Sequence, residues 1–357
     1  MAITIRNKML DTPIIQGGMG VGISLDGLAG AVASCGAMGT ISSAVCGFQE
    51  EDFEKRPFQA NLRALDKQVR HAKEIAHGAG LVAVNVMVAT TQYAESIRTA
   101  LRAGADAIVC GAGLPKDLPG IAAEVSESDA AIAPIVSGGR ACQLICKLWD
   151  RHFGRIPDFL VLEGPYAGGH LGFSPEEIEN PPTLSALLKD VLEASAPYCE
   201  KAGRDIPVFV AGGIKNGAEM SHYMKIGAAG AQFATRFITT RECDATDEYK
   251  KRYVDSVSGD ITIVQSPVGM PGRAFKSPLI ERVKDGVQPP IKKCINCIKT
   301  CDGKNAPYCI SKALIAARNG DWENGLFFCG ANAGDLSTIS TVEDEINQIM
   351  NEWRSAQ

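Results

Sequence analysis

The chain has 357 residues, 45% hydrophobic and 22% charged, and its 36 basic and 41 acidic side chains leave a net charge of −5. That length can bury a large core, as one big α/β domain or as a domain with an appendage. Composition argues against nucleic-acid binding, since no Lys/Arg stripe interleaves with aromatics. It also argues against a membrane span, since the longest apolar stretch, around Leu81–Val88, is too short and is broken by Asn85.

The N-terminal residues, from Met1 to Lys8, lack the apolar run of a secretory signal, and a cytoplasmic protein is expected. Short apolar runs then alternate with amphipathic stretches. The strand-like runs are Pro13–Gln16, Met38–Ile41, Leu81–Val86, Ala107–Val109, Ala133–Val136, Phe159–Leu162, Val208–Ala211 and Gly230–Phe233. Each is short, mostly apolar and bounded by Gly, Pro, Asn or Ser, as strands buried on both faces are. Helical periodicity lies between most of them, over Asn61–Ala76, Thr91–Arg102, Ala141–Arg151, Ser185–Ala194 and Ala218–Ile226. Eight such units predict an α/β fold of the TIM (β/α)8 barrel type. A doubly wound open sheet is the alternative, weakened because no G-x-G-x-x-G follows the first run.

After Phe237 the rhythm breaks. Residues 1–240 are read as the barrel and 241–309 as a small lid that includes a Ser-Pro-Val-Gly-Met-Pro-Gly-Arg turn cluster. Residues 310–357 are read as helices, over Ile310–Arg318 and Val342–Trp353, that pack back on the barrel.

Three loops carry chemistry. The first run ends in Gln16-Gly17-Gly18-Met19-Gly20, where the glycines let backbone approach a flat ligand, although a plain tight turn reads the same way. Gly212-Gly213 closes the seventh run, with Asn216 placed to cap the next helix, and Ala234-Thr235 closes the eighth. In barrels these two loops commonly bind phosphate through backbone N–H groups. The sixth run leads to Ala167-Gly168-Gly169-His170. His71, His77, His152 and His222 fall within predicted helices, whereas His170 sits in a glycine-rich loop at the catalytic end, where an imidazole can exchange a proton near neutral pH.

Pro13-Ile14-Ile15-Gln16-Gly17-Gly18-Met19, Ala167-Gly168-Gly169-His170-Leu171-Gly172, Val210-Ala211-Gly212-Gly213-Ile214 and Ala231-Gln232-Phe233-Ala234-Thr235-Arg236-Phe237 occur in order. Over about residues 10–275 the chain resembles the nitronate monooxygenase (2-nitropropane dioxygenase) family, whose superfamily includes the FMN-type enoyl-ACP reductases. The resemblance implies FMN at the C-terminal mouth of a TIM barrel. Gln16, Gly17, Gly18 and Met19 would line the flavin, and Asn85 would contact its ring or ribityl chain. Gly168, Gly169 and Gln232 would extend the cofactor site. Gly212, Gly213, Ala234 and Thr235 would hold the phosphate, and His170 would be the acid/base. Tyr166 stands where the family often has a carboxylate, and Ala234 where it often has glycine. Two chemistries are implied: oxidation of a nitronate with O2, or reduction of an enoyl or enone C=C. NADH, NADPH or an electron-donor protein would supply the reductant, and a homodimer is carried as an open expectation.

The twelve cysteines are expected to stay reduced, most of them as small buried hydrophobes. Cys294, Cys297, Cys301 and Cys309 differ, because their C-x2-C-x3-C-x7-C spacing suits a [4Fe–4S] cluster, a structural Zn2+, or uncoordinated thiols on a lid. The leading C-x2-C-x3-C resembles the cluster segments of some FMN-barrel enoate reductases. A cluster there would feed electrons to the flavin and favour C=C reduction. Cys329 is read as packing, with substitution for Cys309 in the ligand set as the alternative. Two other readings stand beside the flavoenzyme: a non-redox phosphate-binding barrel isomerase or lyase using Glu163, and a metal-stabilised binding module.

Overall fold

In a computed structural model, which describes residues 2–291 and 293–357, the eight apolar runs form eight parallel strands. They are β3 (Ile14–Gln16), β4 (Met38–Ser42), β5 (Leu81–Met87), β6 (Ala107–Gly111), β7 (Ala131–Val136), β8 (Leu160–Glu163), β10 (Val208–Ala211) and β11 (Gly230–Phe233). They close into a barrel in chain order, with β8 pairing β10 and β11 returning to β3. An antiparallel hairpin that the sequence reading left out, β1 (Ile3–Ile5) and β2 (Lys8–Leu10), comes first. Its Ile3, Ile5 and Leu10 join Ile15, Met38, Phe159 and Phe209 in one apolar cluster that plugs the floor of the barrel.

Period-two alternation assigns the two faces of each strand. On β5, Val82, Val84 and Val86 join the layer of helices, while Leu81 and Ala83 point into the barrel. The same parity runs on β8, where Leu162 faces the helices and Val161 the interior. Carried to the strand ends, it turns Thr40, Asn85, Glu163 and Gln232 inward at the top.

The five helical stretches read from periodicity are helices, at Pro57–Ala76, Tyr93–Arg102, Gly139–Phe153, Leu184–Ala202 and Gly217–Ile226. Asn216 caps the last of them, its Oδ1 accepting from the Glu219 amide at 2.9 Å. A further helix, Asp26–Ser34, takes its cap from far along the chain. The Asp244 carboxylate accepts from the amides of Leu25 (2.7 Å), Gly27 (3.1 Å) and Leu28 (3.2 Å).

The turn cluster after the barrel is more ordered than its composition suggests. Residues 266–270 turn a hairpin of β12 (Ile261–Gln265) and β13 (Pro271–Phe275). Pro271 costs no ladder bond because it opens its strand. The hairpin recruits β9 (Gly169–His170) as a third strand, pairing Gly272 with His170 and Arg273 with Gly169. Residues 326–329 lie against β13: the Phe275 amide donates to Phe327 at 2.9 Å and the Cys329 amide to Arg273 at 3.1 Å. The helices Ile310–Arg318 and Val342–Ser355 follow, the second pressed on Gly217–Ile226, where a Cβ on Gly217 would stand 1.8 Å from the Ile349 carbonyl oxygen. No helix among the described residues is long and apolar enough to cross a membrane.

Candidate active site

The C-terminal mouth of the barrel opens into a cavity of about 1010 Å3, at the upper end of the range for small-molecule sites. Gly17, Gly18, Met19, Asn85, Gly168, Gly169, His170, Gly212, Gly213, Gln232, Ala234 and Thr235 all line it. Gln16 does not. It is fully buried behind the wall, where its amide accepts from the Thr40 N–H at 2.9 Å and donates to the Gly17 carbonyl. Its role is to fix the strand end on which the glycines sit.

The glycines do different jobs. A Cβ on Gly18 would lie 2.5 Å from Asn85 Cβ, so the bare backbone lets Asn85 reach the cavity. Gly212 and Gly213 hold φ of +81° and +111°, a region L side chains avoid. Gly168 serves the cover instead, since a Cβ there would meet the Cys329 carbonyl carbon at 2.6 Å. Ala234, at φ −128°, needs no glycine.

The wall suits an FMN-sized ligand. The amides of Gly212, Gly213 and Ala234 have no acceptor among the described residues, the donor set that a phosphate takes. Thr40 Oγ1 also lines this cavity, is buried and has no hydrogen-bond partner among the described residues, so a ligand atom would satisfy it. Sequence reasoning missed Thr40; inward parity on β4 was its only signal.

His170 and Glu163 are two titratable residues that line the cavity. Burial lowers the His170 imidazole to about 4 and raises the Glu163 carboxyl to about 7. His170 Nε2 lies 2.7 Å from Ser266 Oγ in the hairpin turn, and its ring meets Phe328 edge-on at 5.0 Å. The loop before it is held by Arg273, whose Nη1 donates to the Pro165 carbonyl at 3.0 Å and to the Ala167 carbonyl. Tyr166 is half exposed and packs over Gly213.

The cover was the larger omission. Leu326, Phe328, Cys329, Gly330, Ala331 and Asn332 line the cavity, and Asn332 donates to the Gly213 carbonyl at 2.9 Å. Phe327-Phe328-Cys329-Gly330 held the only hint, an apolar run next to glycine.

The cysteine run does not form the expected centre. Among the described residues no three His, Cys, Asp or Glu side chains are grouped to hold a metal ion. Cys297 Sγ lies 3.0 Å from Ser311 Oγ, Cys294 is exposed with its sulfur against the Asn296 amide, and Cys309 opens the helix Ile310–Arg318. Nor do the four line the cavity. The run docks on the loop after β5, where the Lys299 amide donates to Ala89 and the Thr91 amide to Cys297. A [4Fe–4S] cluster or Zn2+ at this run is therefore not supported.

The family model for nitronate monooxygenase matches residues 4–352. A curated relative from Mycobacterium tuberculosis, (3aS,4S,5R,7aS)-5-hydroxy-7a-methyl-1-oxo-octahydro-1H-indene-4-carboxyl-CoA dehydrogenase, is 26% identical over 78% of the chain. The match spans 66% of that relative, just under two thirds of its length. A probable nitronate monooxygenase from Staphylococcus saprophyticus is 23% identical over 76% of the chain and 78% of its own. Among solved structures, FabK from Thermotoga maritima superposes with a TM-score of 0.70 at 21% identity, covering 97% of this chain and 94% of that one, a likeness of fold.

Proposed function

The chain belongs to the nitronate monooxygenase family, and from that premise we propose that it is an FMN-dependent oxidoreductase acting at an activated carbon, with His170 as the polar group that meets the substrate. One observation carries the reading: a single cavity has in its wall the amides of Gly212, Gly213 and Ala234, which have no acceptor among the described residues, and His170 under its cover. Glycines 17 and 18 leave room for a flat ring between these two sites, beside Asn85 and Thr40. When bound, FMN supplies the electron-accepting and electron-donating chemistry. The protein binds the phosphate, orients the ring and holds the polar contact at the substrate.

The preference for C=C reduction rested on an iron–sulfur feed, and the geometry of the cysteine run removes that support. Nitronate oxidation and reduction of an enoyl or enone substrate therefore stand on the same site. The curated CoA dehydrogenase relative makes acyl-CoA thioesters a substrate class to include.

Purified protein is expected to carry a flavin absorbance, and apoprotein to take up FMN far better than riboflavin, because only FMN engages the amides of Gly212 and Gly213. A colourless protein that binds neither would overturn the reading and favour a non-redox barrel using Glu163. Oxygen consumption with a nitronate, set against NADH or NADPH oxidation with an enoyl thioester, separates the two chemistries and identifies the reductant.

A further inference from the structure

On the reading that His170 meets the substrate, we propose that Ser266 is a positioning residue that locks His170 as its Nδ1–H tautomer, so that the imidazole serves as a fixed hydrogen-bond donor to a substrate oxygen rather than as a base. The oxygen belongs to a nitro or nitronate group, or to a carbonyl conjugated with the reacting carbon.

The argument is a count of protons and lone pairs. Ser266 is 3% exposed, so its hydroxyl must find partners within the protein. Its Oγ already accepts from the Val268 amide at 3.3 Å, and it lies 2.7 Å from His170 Nε2. If Nε2 carried the proton, Ser266 Oγ would accept twice, and its own hydroxyl proton would have no acceptor among the described residues. If Ser266 donates to a bare Nε2, the buried hydroxyl has both an acceptor for its proton and a donor to its oxygen. A neutral imidazole then carries its proton on Nδ1. Nδ1 has no protein partner among the described residues, and His170 lines the cavity.

The hydroxyl is itself held in place. The Ser266 amide donates to Met270 at 3.2 Å and the Gly269 amide to Ser266 at 2.9 Å, so the turn closes on this residue from both sides. The pairing of Gly272 with His170 brings that turn to the imidazole, and the edge of Phe328 fixes the ring plane. Burial holds the ring well below the usual histidine range, so it is neutral at pH 7. A neutral ring whose only lone pair is engaged by a serine proton offers the cavity a donor. The hairpin therefore sets which hydrogen-bonding face the site presents, as well as covering it.

The test is a ring-nitrogen NMR spectrum of protein labelled with 15N-histidine at pH 7, with His170 assigned by its loss in H170Q. Wild type is expected to show a protonated Nδ1 and a bare Nε2. Ser266→Thr is expected to keep that pattern, and Ser266→Ala to lose it in favour of Nε2–H or a mixture. A wild-type spectrum with Nε2–H, or S266A and wild-type spectra that coincide, would overturn the proposal. Should S266A fail to fold, the wild-type and S266T spectra decide alone. The readout needs no turnover, so it separates from the functional reading: a flavoprotein with Nε2–H sinks the serine lock only, and a colourless protein with Nδ1–H sinks the flavoenzyme only.

Discussion

Around the cavity, the barrel wall is built from strand ends whose glycines and inward-facing polar residues follow local rules, whereas the cover is built from segments about a hundred residues or more away from the loop they hold. Gly17, Gly212 and Gly213 each belong to the turn that directly follows their own strand. His170, by contrast, is positioned by Ser266, Arg273 and Phe328, which reach it through an antiparallel ladder and a buried guanidinium. A turn fixed by its own strand end depends on few distant groups, while a cover assembled from remote partners is expected to loosen when one partner is removed. The two regions should therefore respond differently to substitution.

The largest effect is expected at the cover. Arg273 is 8% exposed, has no carboxylate partner among the described residues, and donates to two carbonyls of the loop leading to His170. Arg273→Ala leaves both acceptors buried and unpaired, at a cost of about 2–4 kcal/mol for charge-assisted bonds. Urea denaturation should show that loss, and proteolysis should open residues 165–170 while the barrel remains resistant. A change below about 0.5 kcal/mol, within the range of ordinary surface substitutions, would show that the ladder alone holds the cover.

The next effect contrasts a wall residue with a cover residue through pH. Glu163 on β8 has its carboxyl raised to about 7 by burial. The folded state therefore binds the proton more tightly, and the stability this contributes is full below about 4.5, the ordinary carboxyl value, and is lost as pH rises through 7. His170 on β9 is lowered to about 4, so its contribution is full above its ordinary value of 6.5 and is lost as pH falls through 4. Between about 4.5 and 6.5 the two slopes oppose, each at most about 1.4 kcal/mol per pH unit. Wild-type stability should be nearly flat there from these groups. Glu163→Gln should make stability rise with pH and His170→Gln should make it fall. Two variants with slopes of the same sign would refute the assignment.

How much was legible follows the same division. All eight barrel strands could be read, because each is a contiguous apolar run bounded by turn residues, and the mouth residues followed from the strand ends. Thr40 escaped notice because a threonine inside an apolar run looks like an ordinary strand former; only its parity with Met38 and Ser42 marks it. The hairpin of β12 and β13 escaped because Ser266, Pro267, Gly269 and Pro271 read as irregular turn. No property of residues 261–275 alone announces that Gly272 pairs with His170, about a hundred positions earlier. The segment 326–332 escaped for the same reason, only its Cys329 having been read, as packing. Pairing over such distances is a property of the folded chain, and residue spacing does not carry it.

The cysteine run gives the smallest expected effect and tests the comparison at its edge, because there a local spacing signal is not used by the fold as read. Spacing brings four thiols within sixteen positions, and burial, then the nearness of Cys294 and Cys309, raises the thiols of Cys297 and Cys301, but among the described residues no three of them are grouped to hold an ion. Instead Cys297 is half-buried with Ser311, its thiol pushed up by burial, while Cys294 points to the surface. Cys294→Ser should therefore change unfolding free energy by no more than about 0.5 kcal/mol and leave flavin content as in wild type. Iron and zinc counts on anaerobically purified protein should be far below one per chain. Stoichiometric metal that is lost in Cys294→Ser would mean that the run closes around an ion after all, and that spacing outranks the arrangement of the thiols. Metal-free protein with an unaltered flavin would leave the run as a docking segment, held to the barrel by the backbone bonds of Lys299 and Thr91.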